Sequence, residues 1–203
     1  YLELKSKMTG SVELGADKDL EGVTISTPVI GADKDGTSFK MTGSPKVVKI
    51  DSTNPFVMQG GLDLSNNTAL EKFAAEVTAV GKDANGVSVS IQNSSSFQSA
   101  EGLSNVTFLP GSVIMKNNPI MEMLIGFEHM TEVGKDLSGN SLEIAHNAML
   151  QTMNGMRSCN KMEGALVLMW NPMLETLEGL QNLTTIDGKN SIGDSILLMS
   201  NPK

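Results

Sequence analysis

The feature that most constrains this chain is a unit that recurs along nearly all of its 203 residues. The cleanest copy is Leu166–Gln181, Leu-Val-Leu-Met-Trp-Asn-Pro-Met-Leu-Glu-Thr-Leu-Glu-Gly-Leu-Gln. Leu166 and Leu168 alternate as a short strand, Asn171-Pro172 turns the chain, and Leu174, Leu177, Leu180, Leu183 and Ile186 recur at every third residue. The same template puts the turn residue, three positions past the second strand hydrophobe, at Asp17, Ser44, Asn67, Ser94, Asn118, Asn147, Asn171 and Asn201. Successive spacings are 27, 23, 27, 24, 29, 24 and 30 residues. Periods of this length mark solenoids, whose units cannot bury their apolar faces alone and stack on their neighbours. The expected fold is therefore mainly β with little helix: a right-handed parallel β-solenoid built from repeats of about 23–30 residues.

One elongated domain, 1–203, is expected, with irregular turns over 1–61 and regular ones over 62–203. Each strand supplies two inward residues, and the every-third apolar series closes the turn. The repeated Asn carries an amide that can bond backbone groups freed where the strand turns, so Asn67, Asn118, Asn147, Asn171 and Asn201 should stack as a ladder. Proline after this Asn, at 119, 172 and 202, pre-sets the turn and cannot continue a strand. Gly126, Gly155 and Gly179 precede a large apolar residue, which suits positive φ or close backbone approach.

Aromatic residues are only 4% of the chain, so its core must be built from Leu, Ile, Val and 14 Met, 11 of them from Met115 onward. These flexible thioethers fall mostly at inward template positions and read as core filling. The formal charge is −8 and the only Arg is Arg157, which argues against a nucleic-acid partner. The lone cysteine, Cys159, shares the template slot of Leu183, Met130 and Val106 and should point inward. No apolar run of about 18 residues is present to span a bilayer. Strand alternation already begins at Leu2-Glu3-Leu4, and Ile196 opens another unit near the last residue, so the expectation is a portion of a longer chain.

Chemistry is sparse. Gly31-Ala32-Asp33-Lys34-Asp35-Gly36 echoes Gly15-Ala16-Asp17-Lys18-Asp19, and Asp-x-Asp beside Gly suggests calcium. The EF-hand pattern fails, however, with Thr37 at the third ligand position and Ser38 where the sharp-turn Gly belongs, so the stretch reads as a solvated turn. His129 and His146 lack ligand-spaced partners, and no Ser or Cys stands in a nucleophile motif. The expectation is a chain that is not an enzyme, with no metal and no cofactor. On the outward strand face one column runs Glu13, Lys40, Asp63, Ser90, Ile114, Glu143, Val167 and Leu197. A second runs Gly15, Thr42, Ser65, Gln92, Lys116, Ala145, Met169 and Met199. Both turn apolar toward the C-terminus, so Ile114, Val167, Met169, Trp170, Leu197 and Met199 are expected to form an exposed binding face.

The motif apolar-x-apolar-x-x-Asn-Pro-x-apolar, followed by apolar-x-Gly-apolar, resembles the receptor L-domain family of leucine-rich β-solenoids. The likeness covers Leu62–Pro202 well and Val12–Lys49 weakly, and the chain lacks the flanking disulfides usual in that family. It implies an extracellular or cell-surface module that holds a protein or glycan partner on its parallel sheet. Sequons at Asn66, Asn93, Asn105 and Asn182 point to the same compartment. The expected function is non-enzymatic recognition or adhesion. The alternative is a structural subunit that self-associates by solenoid stacking into a surface layer or filament.

Overall fold

The computed structural model of the protein describes residues 1–201; the proline at 202 lies outside them. The chain is a parallel β-solenoid of about eight turns. Its backbone is an eight-stranded, wholly parallel sheet of Val12–Gly15, Thr37–Thr42, Gly61–Asp63, Val87–Gln92, Ser112–Lys116, Asn140–Ala145, Ala165–Met169 and Ile196–Met199, stacked in chain order. Shorter parallel sheets build the other sides, and among the described residues the helical content is limited to single 3-10 turns at Glu101–Leu103 and Asn154–Met156.

The alternation read from the sequence sets the pairing. Glu143 faces Ile114 and Val167, and Ala145 faces Lys116 and Met169, so both outward columns form as anticipated. Pairing by side-chain parity is strongly specified here, because a slip of one residue would turn Leu142 and Ile144 outward. These residues and their equivalents from Phe39 and Met41 to Leu166 and Leu168 are buried, together with the every-third series such as Met121, Leu124, Phe127, Met130 and Val133. In the last arc the series is only partly covered: Leu180, Leu183 and Ile186 are half-buried and Leu177 is exposed, because no described arc stacks on it. The turns before Gly61 pair in the same main sheet as the later ones.

The corner after each main strand is held by the expected amide ladder. Asn67, Asn118, Asn147, Asn171 and Asn201 each donate from Nδ2 to a carbonyl one turn back: Met41, Ile91, Met115, Ile144 and Leu168, at 2.7–3.0 Å. Their Oδ1 atoms accept the N–H of the preceding corner residue, from Ser44 through Asn171, at 3.0–3.2 Å. Ser94 substitutes a hydroxyl, which accepts from the Asn67 N–H and donates to the Leu64 carbonyl, both at 3.2 Å. Every buried corner amide from Asn67 to Asn171 is therefore paired, as burial demands. At Asp17 the pattern changes: its exposed carboxylate accepts the N–H groups of Asp19 and Leu20 in a local turn.

At the opposite end of the main strands the structure reveals a two-turn period. Gly31–Gly36, Gly81–Gly86, Gly134–Gly139 and Gly188–Gly193 are four copies of one loop, spaced 50, 53 and 54 residues apart. In each, Oδ1 of Asp33, Asp83, Asp136 or Asn190 accepts the N–H of the residue just after the closing glycine, joined in all but the Asp136 copy by an N–H within the loop, and the closing glycine has a φ of +78 to +98°. The intervening turns pass this end through tight bends at Gly60-Gly61, Gly111 and Gly164. A buried serine spans each pair: Ser38, Ser88 and Ser141 accept the N–H groups of Gly60, Gly111 and Gly164 at 2.6, 2.9 and 2.7 Å. Long and short connections thus alternate, which explains the spacings of 27, 23, 27, 24, 29, 24 and 30 residues. The echo between Gly15–Asp19 and Gly31–Asp35 is not a structural equivalence, since Asp17 lies at a corner and Asp33 in a loop.

Candidate functional site

The outward face of the main sheet is polar in its first turns and satisfies itself. Lys40 pairs with Glu13 across adjacent strands at 3.0 Å, and this bond holds its ammonium above the usual lysine value. Asp63 accepts the Ser65 hydroxyl at 2.5 Å, and Gln92 donates to Ser90 at 2.9 Å. Farther along, Lys116 and Glu143 pair at 2.6 Å.

Of the six apolar residues anticipated as a binding face, the structure exposes two. Trp170 and Met199 are exposed, whereas Ile114, Met169 and Leu197 are half-buried. Val167 is a correction: it is only 3% exposed, a short branched side chain flanked by the longer Glu143 and Leu197 on the neighbouring strands.

The position just before each ladder residue explains where the exposed apolar surface lies instead. Gly43, Asn66, Asn93, Asn117, His146, Trp170 and Ser200 all have positive φ, between +52 and +71°. Gly and Asn tolerate that region, while a bulky side chain there is a genuine outlier. The first Asn residues form an exposed side-chain ladder, in which Asn93 donates to Asn66 at 3.1 Å and Asn117 donates to Asn93 at 2.8 Å. In the next two turns aromatic rings replace the amides, and His146 and Trp170 stack at 4.6 Å between centroids and 22° between planes.

Beyond the corner the apolar surface continues. Ile120, Met123, Met149 and Met173 are each 37–42% exposed, and Trp170, three residues before Met173 at the same corner, is 42% exposed. Ile120, Met149 and Met173 share one slot, two residues past the ladder Asn, which in earlier turns holds Asp19, Lys46, Ala69 and Ser96. Reading only the strand columns misses this surface, although the change of residue type in that slot is visible in the sequence.

The remaining candidates are dispersed. His129 is exposed, with Nδ1 at 2.8 Å from the Ser104 carbonyl. Cys159 is buried as expected; desolvation pushes its thiol up to about 11, and its Sγ donates to the Lys161 carbonyl at 3.6 Å. Asn66, Asn93, Asn105 and Asn182 are all exposed, and Asn182 donates to the Arg157 carbonyl at 2.7 Å. Among the described residues no cluster of three or more His, Cys, Asp or Glu is placed to hold a metal, and no helix is long and apolar enough to cross a membrane.

Fold and surface together define a parallel β-solenoid with one apolar corner. Compared with protein-family models, curated proteins and solved structures, the chain matches none of them.

Proposed function

We propose that this solenoid is a non-enzymatic recognition module of an extracellular or cell-surface protein, and that its contact surface is the apolar corner of its C-terminal turns. The carrying observation is the His146–Trp170 stack. The bulky Trp170 ring occupies a backbone position that favours Gly, Asn or His, at about 1–2 kcal/mol, and its stack on His146 remains exposed. Strain kept at an exposed aromatic pair is better explained by a partner than by packing. The leucine-rich, L-domain-like motif and the four exposed sequon asparagines support the compartment.

A screen of the intact chain against glycans and candidate protein ligands, run in parallel with Trp170→Asn and Met173→Glu, tests this reading. Binders lost in both variants support it; binders indifferent to both place the contact elsewhere. Glycosidase treatment of the chain expressed through a secretory pathway checks the compartment, and a chain without added sugar counts against it.

A second reading is favoured by one observation. Ile196 and Leu198, at inward positions of the last described strand, are half-exposed. Stacking of copies end to end would cover them, and electron microscopy showing regular polymers would favour that structural role.

A further inference from the structure

We infer that the apolar surface of the C-terminal turns docks a basic amphipathic helix of a partner protein; this rests on the recognition reading above and names its partner class.

The surface is not required by the fold. In each of these turns the neighbouring inward residue already fills the core: Met121, Leu150 and Leu174 are buried, while Ile120, Met149 and Met173 beside them face out. The same outward slot is Lys46, Ala69 and Ser96 in turns that pack equally well. Thioethers also make a surface that adapts to an irregular apolar partner.

Charge selects the sign of that partner. The segments 118–126, 147–155 and 171–179, which form this face, contain Glu122, Glu175 and Glu178 and no Lys or Arg. The equivalent segments 44–52 and 67–75 carry Lys46, Lys49 and Lys72 beside Asp51 and Glu71, while 94–102 holds Glu101 alone. An apolar strip whose own segments carry only acidic charge, on a chain of net charge −8, complements an apolar stripe flanked by Lys or Arg. Trp170 adds a ring face that attracts such cations.

Spacing selects the helix. Ile120, Met149 and Met173 rise by one solenoid rung each, about 4.8 Å. A helix presents same-side residues about every 5.4 Å, whereas an extended strand presents them about every 6.6 Å. A helix lying along the solenoid axis therefore sets roughly one apolar side chain against each rung, as in helix-in-groove recognition.

Trp170 is the chain's single tryptophan, so its fluorescence reports directly on the surface. The probe is a synthetic helix of about 18 residues, five turns, with Leu on one face and Lys on the other, compared with a Leu/Glu counterpart. A saturable change in Trp170 emission with the Leu/Lys helix, absent with the Leu/Glu one, is the expected result. The double variant Met149→Glu, Met173→Glu makes the chain more acidic, yet should weaken binding about tenfold or more. Lys46→Glu, on the same side of the N-terminal turns, should not weaken it. Melting curves confirm that the variants fold. Attraction by overall charge alone would strengthen in the double variant, and that outcome, or no response to the Leu/Lys helix, overturns the inference. If another ligand is then found whose binding the double variant abolishes, only the partner class falls; if no ligand is sensitive to it, the recognition surface falls too.

Discussion

The backbone N–H of Asn147 donates to Oδ1 of Asn171 at 3.1 Å, one turn away, while Asn171 Nδ2 donates to the Ile144 carbonyl at 3.0 Å. One fully buried side chain thus satisfies a donor and an acceptor of the preceding turn. Asn171→Leu leaves both unpaired, and each orphan should cost about 1–3 kcal/mol. Asn154→Leu, at an exposed position, should shift stability by less than about 0.5 kcal/mol. Urea denaturation of the two variants compares them directly, and equal midpoints would refute the ladder's role.

The other end of the strands offers an independent test. Ser141 accepts the Gly164 N–H at 2.7 Å and donates to the Val133 carbonyl at 3.2 Å, all in the interior. Ser141→Ala should destabilise by about 1–3 kcal/mol. The same change at half-buried Ser195, the equivalent position after the fourth copy of the loop, should have a smaller effect in the same melt.

Two glycines at positive φ should respond oppositely. Gly86 has a φ of +83°, and a Cβ there would lie 2.8 Å from the Asp136 Cα, so Gly86→Ala should destabilise by more than about 1 kcal/mol. Gly43, at +71°, has its nearest neighbour at 3.6 Å and precedes Asn66 in the amide row. Gly43→Asn should be neutral or stabilising. Thermal melts of both variants show whether position, rather than glycine itself, decides.

Trp170→Asn should separate stability from recognition. It removes a ring stack worth about 0.5–1.5 kcal/mol and relieves a left-handed backbone penalty of about 1–2 kcal/mol. The variant should stay within about 1 kcal/mol of the parent in denaturant while losing the ligands of the corner. A large loss of stability would mean that the ring is a packing element after all.

Cys159 gives a pH signature. Its thiol titrates near 11 in the folded chain against an ordinary 9.0, because burial disfavours the thiolate. The folded state therefore holds a proton that the unfolded state releases between these values, and the resulting stability is present below pH 9 and lost as pH rises toward 11. Alkylation by iodoacetamide at pH 8 should be negligible without denaturant and complete in urea. Between pH 9 and 10.5 the parent should lose more melting temperature than Cys159→Ala.

Much of the solenoid was determined by sequence alone because its rules are local. Side chains alternate along a strand, so Leu142, Ile144, Leu166 and Leu168 place their strands in the sheet and fix which residues face out. A polar side chain recurring three residues past an inward hydrophobe must find backbone partners if it is buried, and the Asn ladder follows. Other features depend on neighbours 22–30 residues away, which no local window contains. The spacings of the corner residues already alternate, but only the stacked turns show Ser38, Ser88 and Ser141 spanning each long and short pair. Val167 looks outward by parity and is nevertheless buried, because exposure depends on the side chains of adjacent turns as well as on direction. His146 and Trp170 become a pair only when the main strands align one above the other and the left-handed corner turns both rings to the same side. Burial and stacking are properties of the assembled turns, so the surface this protein presents was decided by tertiary structure even though its framework was written residue by residue.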